Sequence, residues 1–399
     1  MPGPLTNLVV LDLTRGLSGP YCTMTLKNLG ADVLKIERPN GGDFVRGNGP
    51  FVDDISVYFE SINRGKQSIT LNLSNEAGKE TLLALVDKAD ILIENFLPGT
   101  MKNLGLDYAV LHERNPQLIY AAVSGFGQTG PYASLPSFDI IVQGMGGIMT
   151  TTGTGDGEPI RPGASLGDID AGLFATIGIL AALQSRTMTG EGQMVDISML
   201  DCQIAVQENA FSRYLMADEM PVATGARHAM TTPFQAFKTK NGYVTVAIVG
   251  GVKDQWPLFC SAINRMDLAD NPRFATSYLR SVHYDELNGA MSPPFLEKTT
   301  DEWIAIFREL EIPVGPINTV PDTVHDPQIK ERDMIVDLEH PKLGAVRGVG
   351  NPIKLSATPG EIANAAPQLG VDTEDVLQNY LNYTKDEITN LHKRGALSE

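Results

Sequence analysis

At 399 residues the chain is long enough for two or three domains with a large core. Its net charge of −17, from 31 basic and 48 acidic residues, argues against nucleic acid, which demands a basic patch, and against docking on anionic membranes. The three dispersed cysteines (Cys22, Cys202, Cys260) show no metal spacing and argue against a disulfide framework. The opening MPGPLTNLVVLDLT lacks a basic region followed by a long apolar run, and no apolar run is expected to cross a bilayer. A cytoplasmic protein with no membrane contact and no metal is therefore expected.

Leu8 to Leu13 is a continuous apolar run of the buried parallel-strand kind. A Gly/Ser/Pro turn (Gly16–Pro20) leads into a helix, Tyr21 to Leu29, closed by Gly30, and Asp32 to Ile36 is a second strand. This is a β-α-β unit, the start of a doubly wound sheet whose ligands bind at the strands' carboxyl ends. Further strands are predicted over Ser68–Leu73, Ile91–Glu94, Ile119–Val123 and Met194–Ile197, alternating with helices over Asn75–Lys88 and Val110–Glu113. Between them, Leu173, Phe174, Ile177, Ile179, Leu180 and Leu183 form a helix apolar nearly all round, which reads as buried. Gln203 to Met216 reads as one helix and Pro221–Pro233 as a loop. A hairpin follows around Asn241–Gly242, then helices over Gln255–Ile263, Tyr284–Leu296 and Thr300–Leu310, and two more over Thr373–Leu381 and Lys385–Lys393. The expected organisation is α/β. A Rossmann-like large domain with a parallel sheet spans 1–205 and is completed by 330–399. A smaller α+β domain covers 225–325, with linkers at 206–224 and 326–336.

Two acids, Asp168 and Asp170, stand where the apolar helix should begin. Asp is a preferred N-cap, and capping is the commoner role for such a residue. The functional alternative is a carboxylate nucleophile kept ionised by the helix dipole. Spacing alone does not separate the two acids. Gly125–Gly130 matches G-x-G-x-x-G, but Pro131 follows at once and no acid sits at the ribose-binding distance, so a structural turn is the better reading. Arg38, Arg46, Arg64 and Lys66 cluster after strand ends and could meet a nucleotide, although each singly reads as a surface charge. Arg227 and His228 form a basic loop that could receive a carboxylate.

The segments VLDLTRGLSGP, LKIERPNGGD, INRGKQSITLNL, ENFLPGTMKNLGL, SGFGQTGPY, the GD-x-x-x-G turn at Gly167–Gly172 and TGEGQMVDISMLD occur in the order found in class III CoA-transferases. The chain resembles that family over essentially its whole length. The resemblance implies a nucleophile at Asp168, the acid directly after the first Gly of GD-x-x-x-G, and it removes Asp170 from contention. It implies acyl-CoA and a small carboxylic acid, with succinyl-CoA as one donor, as substrates, and no permanently bound cofactor. It also implies CoA contacts at Arg38, at Leu71, Asn72, Leu73 and Ser74, and at Asn95 and Phe96. An arginine usual after the ENFxPG turn is replaced by Asn103, which makes Lys102 the substitute. Where the oxalate-using members carry a glycine run, this chain reads GARHAMTTPF, which disfavours oxalate and leaves Arg227 and His228 to hold a second carboxylate. The resemblance further implies a ring-shaped chain interlocked into a homodimer. The racemases of the same fold need a histidine before Asp139, where this chain has Phe138. A non-catalytic CoA-binding protein is the remaining alternative.

Overall fold

The structure, a computed structural model, describes residues 3–249, 255–363 and 365–397. Its main sheet has six strands: β1 (Val9–Asp12), β2 (Asp32–Glu37), β3 (Gln67–Thr70), β4 (Ile91–Glu94), β5 (Ile119–Ser124) and β6 (Met194–Ser198). All five pairings are parallel, and the order is β3-β2-β1-β4-β5-β6. That is the doubly wound Rossmann order, which reverses between β1 and β4 and opens a crevice outside their carboxyl ends.

The strands are buried on both faces, as a parallel sheet requires. Val10, Val33, Ile91, Ile93 and Ile119 point to one face, where α1 (Ser18–Asn28) and α4 (Leu166–Thr189) contribute Cys22, Leu26, Ala175 and Ile179. Leu11, Leu34, Ile69 and Leu92 point to the other, against α2 (Glu76–Val86) and the helices Thr373–Leu381 and Lys385–Lys393. The C-terminal helices therefore complete this core. A short helix that the spacing left unpredicted, α3 (Asp139–Met145), lies between β5 and α4 in the chain.

The chain divides into two compact units. One comprises Met1–Met149, Arg161–Glu219 and Gln328–Glu399, and the other Thr150–Ile160 and Met220–Pro327. Residues 1–2 and 398–399, the ends of the expected large domain, lie outside the described residues. Two expected boundaries move. Thr150–Ile160 joins the smaller unit, where the Gly225 N–H donates to the Gly153 carbonyl at 2.7 Å. Residues 206–219 are no linker but part of the larger unit. The helix expected over 203–216 is in fact two, α5 (Met199–Ala205) and α6 (Glu208–Ala217). The smaller unit has an antiparallel sheet, β7 (Phe234–Lys238), β8 (Tyr243–Ala247) and β9 (Val314–Pro316), over a core containing Trp256, Phe259, Phe295, Trp303 and Phe307.

Helix α4 corrects two expectations. It is 24 residues long and, by length and composition alone, apolar enough to cross a membrane. It is also not buried all round. Gly172, Ala175, Thr176, Ile179 and Ala182 face inward, while Leu173, Ile177 and Leu180 are 42%, 59% and 37% exposed. The physical reason is close approach: a Cβ at Gly172 would stand 2.7 Å from the Ser18 carbonyl oxygen, so small residues must face α1 and the large ones are left outside.

Candidate active site

Asp168 is not the cap of α4. Ser165 holds that position without a capping bond, and Asp168 lies in the first turn. The cap comes from elsewhere in the chain: Asp139, at the start of α3, accepts the Gly167 N–H at 2.9 Å. Asp139 is itself held by Gln143 Nε2, at 2.8 Å from each oxygen, and by Arg161 through Nε at 3.1 Å and Nη2 at 2.6 Å. Arg161 Nη2 also donates to Ser165 Oγ at 3.0 Å. Asp139 and Arg161 escaped sequence reasoning. No local spacing links two residues 22 positions apart.

Relieved of capping, the Asp168 carboxylate accepts no hydrogen bond among the described residues. The Asp170 carboxylate, by contrast, accepts from Gln203 Nε2 at 2.9 Å and is spoken for. The helix dipole does not keep Asp168 fully ionised, as the spacing suggested. Burial, and then the negative charge of Asp139, outweigh the pull of Arg161 and push its carboxyl up to about 7. Tyr58 shares this environment. Burial and then the charges of Asp168 and Asp139 push its phenol up to about 12.

One turn further along α4, on the same face as Asp168, Gly172 rests against Ser18. Asn95 Nδ2 reaches Ser18 Oγ at 3.4 Å, and it fastens Arg15 by accepting its N–H at 2.8 Å and donating to its carbonyl at 2.7 Å. Arg15 lines a cavity of about 290 Å³ at the carboxyl ends of β1 to β4. This cavity gathers Arg38, Leu71, Asn72, Leu73, Ser74 and Phe96 from three separate stretches of chain. Asn95 serves it from behind, through Arg15. Lys102 is not brought to it: this residue lines a separate cavity of about 240 Å³ with Glu94 and Tyr120.

Of the four basic residues after the strand ends, Arg38 alone lines the 290 Å³ cavity. Arg46 forks onto Glu37 and stacks on Phe59. Arg64 and Lys66 are buried, not surface charges. Arg64 binds the Val349 carbonyl, and Lys66 Nζ lies 3.1 Å from Asp12. Burial opposes ionising Asp12, but Lys66, Lys35 and the hydroxyls of Thr14 and Thr23 hold its carboxyl well below the usual range. Burial likewise brings Lys66 down to about 8. Gly125–Gly130 forms a turn, with Gly127 and Gly130 at φ of 82° and 94°, and opens no helix.

In the smaller unit, Arg227 and His228 line a cavity of about 650 Å³ with Phe234, Val246 and Val314. The Arg227 guanidinium stacks 4.1 Å above the Tyr284 ring. His228 Nδ1 accepts the N–H groups of Met230 and Thr231, so its proton sits on Nε2. No cluster of metal-ligating side chains occurs among the described residues.

A parallel sheet in this order with a cavity at its switch point is an arrangement that takes nucleotide-type ligands. Comparison with known proteins sharpens the class. Residues 5–373 match CoA-transferase family III. The chain is 35% identical over 397 residues to succinyl-CoA:glutarate CoA-transferase of Mus musculus, covering 99% of this chain and 91% of that protein. It is 40% identical over 355 residues to acetyl-CoA:oxalate CoA-transferase of Acetobacter aceti, covering 89% and 90% respectively. With succinyl-CoA:mesaconate CoA-transferase of Haloarcula marismortui it shares 38% identity, covering 94% and 96%. A crystal structure of a CAIB/BAIF family protein from Brucella suis superposes with a TM-score of 0.84 at 37% identity, covering 95% of this chain and all of that one. The chain belongs to CoA-transferase family III, and it is an enzyme of that family.

Proposed function

We propose that this enzyme moves CoA from an acyl-CoA donor to a small carboxylic acid through covalent intermediates on Asp168. An Asp168 oxygen attacks the thioester carbonyl, the C–S bond breaks, and CoA leaves as thiolate, leaving a mixed anhydride between Asp168 and the acyl group. The thiolate attacks the Asp168 carbonyl of that anhydride, releasing the donor acid and leaving an aspartyl-CoA thioester. The acceptor carboxylate displaces the thiolate to form a new anhydride. The thiolate then attacks the acceptor's carbonyl, giving the new acyl-CoA and regenerating the Asp168 carboxylate. The observation that carries this reading is the division of labour at the start of α4: Asp139 takes the capping bond and Asp168 is left without one.

The cavity holding Arg38, Leu71–Ser74 and Phe96 suits CoA, with Arg38 offering a planar cation to the adenine. Lys102, lining another cavity, is a weaker candidate for the phosphates. Diacid substrates are favoured because Arg227 and His228, both able to donate N–H bonds, line a pocket with apolar walls, and because succinate, glutarate and mesaconate appear in the names of several relatives. A second copy of the chain, interlocked or otherwise, would cover the exposed Leu173, Ile177 and Leu180. A racemase reading lacks a proton carrier, since the exposed Phe138 cannot titrate.

Asp168→Ala should abolish exchange of labelled CoA between acids while leaving CoA binding nearly intact. Hydroxylamine added after the donor ester should yield a hydroxamate at Asp168, located by peptide mass. Exchange by Asp168→Asn at the parent rate would remove the mechanism. With succinyl-CoA as donor, Arg227→Ala should raise KM for diacids by roughly tenfold, the loss of one charged contact, and leave monoacids little changed.

A further inference from the structure

The ENF turn carries a buried acid to which the CoA reading assigns nothing. Glu94 ends β4 with only 4% of its surface exposed. Its Oε2 accepts the Phe96 N–H at 2.7 Å, and its Oε1 accepts the Tyr120 hydroxyl at 3.2 Å. We propose that Glu94 is a positioning residue for CoA recognition: pinned from behind by Tyr120, its carboxylate holds the Phe96 amide and so fixes the turn that places Phe96 and Asn95. That turn reaches the cavity in two ways. Phe96 forms part of the wall and lies 5.0 Å from the Arg15 guanidinium, and Asn95 fastens the Arg15 backbone at both its N–H and its carbonyl.

The carboxylate is the stronger acceptor for the Phe96 amide, and protonation replaces it with a weaker one. The surroundings bring this change close to neutrality. Burial raises the Glu94 carboxyl, the Phe96 amide and the Tyr120 hydroxyl lower it, and Asp196 on β6 raises it again, to about 7. Glu94 also lines the 240 Å³ cavity, with Lys102, Asp107 and Tyr108. The grip on the turn should therefore tighten as pH rises through neutrality.

This proposal rests on CoA occupying the 290 Å³ cavity, so the test includes Arg38→Ala as a control on that reading. Glu94→Ala should raise KM for the acyl-CoA by roughly tenfold, the loss of one hydrogen bond, with kcat nearly unchanged. Glu94→Gln keeps an acceptor oxygen for Phe96 and should restore most of the affinity. It should also lose the part of the KM–pH dependence that is specific to the parent between about pH 6 and about pH 8, CoA's own phosphate titration being common to both. Tyr120→Phe leaves Glu94 in place but removes a donor to its carboxylate, and should move the parent inflection to higher pH. This variant decides the matter should Glu94→Ala not fold. An unchanged KM in Glu94→Ala beside a raised KM in Arg38→Ala overturns the positioning role alone, as does equal pH dependence in Glu94→Gln and the parent. An unchanged KM in Arg38→Ala overturns the cavity assignment and this proposal with it.

Discussion

Whether an aspartate caps a helix or attacks a carbonyl depends on who else can take the helix's N–H groups. At Asp168 the answer is Asp139, and the cost is a second negative charge close by, with the Asp168 carboxyl at about 7 as the result. Since only the carboxylate attacks, kcat/KM should rise with pH through an inflection near 7, read from an initial-rate profile. Asp139→Asn removes the neighbouring charge and should move that inflection downward. The sign for stability is the opposite. Folded Asp168 keeps its proton to higher pH than the ordinary value of 3.8, so the folded state binds more protons across that window. Its contribution to stability therefore falls as pH rises from about 4 to about 7. Asp168→Asn should flatten part of the decline in melting temperature over that range, and Glu94, raised for the same reason, should account for another part.

At the level of elements, the crevice is built over a buried ionic cluster. Lys66 and Asp12, both fully covered, meet at 3.1 Å beneath α1, and Lys35 Nζ donates to the Thr14 carbonyl in the loop leading to Arg15. A buried pair of this kind stabilises little in itself, but removing one partner strands the other. Lys66→Met should lower stability by about 3–5 kcal/mol, seen as a fall in melting temperature. Lys66→Met combined with Asp12→Leu should recover much of it. Recovery would show the loss to be a stranded charge, and its absence would show a packing defect.

For the molecule as a whole, the outward face of α4 is the conspicuous feature. Leu173, Ile177 and Leu180 recur at the spacing of one helix stripe and stand in the open on Asp168's own helix. A second copy covering this stripe would bury it in the ordinary way of a homodimer. Ile177→Lys should then reduce the solution mass to that of a single chain by light scattering, with the smaller unit's tryptophan fluorescence, from Trp256 and Trp303, unchanged. A mass unaffected by the substitution would remove this stripe from the interface.

Much of this protein was legible in one dimension. Runs such as Val9–Asp12 and Ile91–Glu94 are apolar without alternation because a parallel sheet buries both faces, and Gly30 and Gly190 end helices where a positive φ is needed. The ordered motifs placed the family, and the Arg38 and Leu71–Ser74 positions they point to line one cavity. What only the tertiary structure decided were relations between distant residues. These include Asp139, held by Arg161, capping α4 in place of Asp168, Lys66 buried against Asp12 and not exposed, and Lys102 turned to a different cavity. They also include a long apolar helix that buries its small residues and shows its large ones. Periodicity reports how polar a position is. The partner a side chain meets, and hence its charge state and its availability for chemistry, is set by chain segments brought together only on folding.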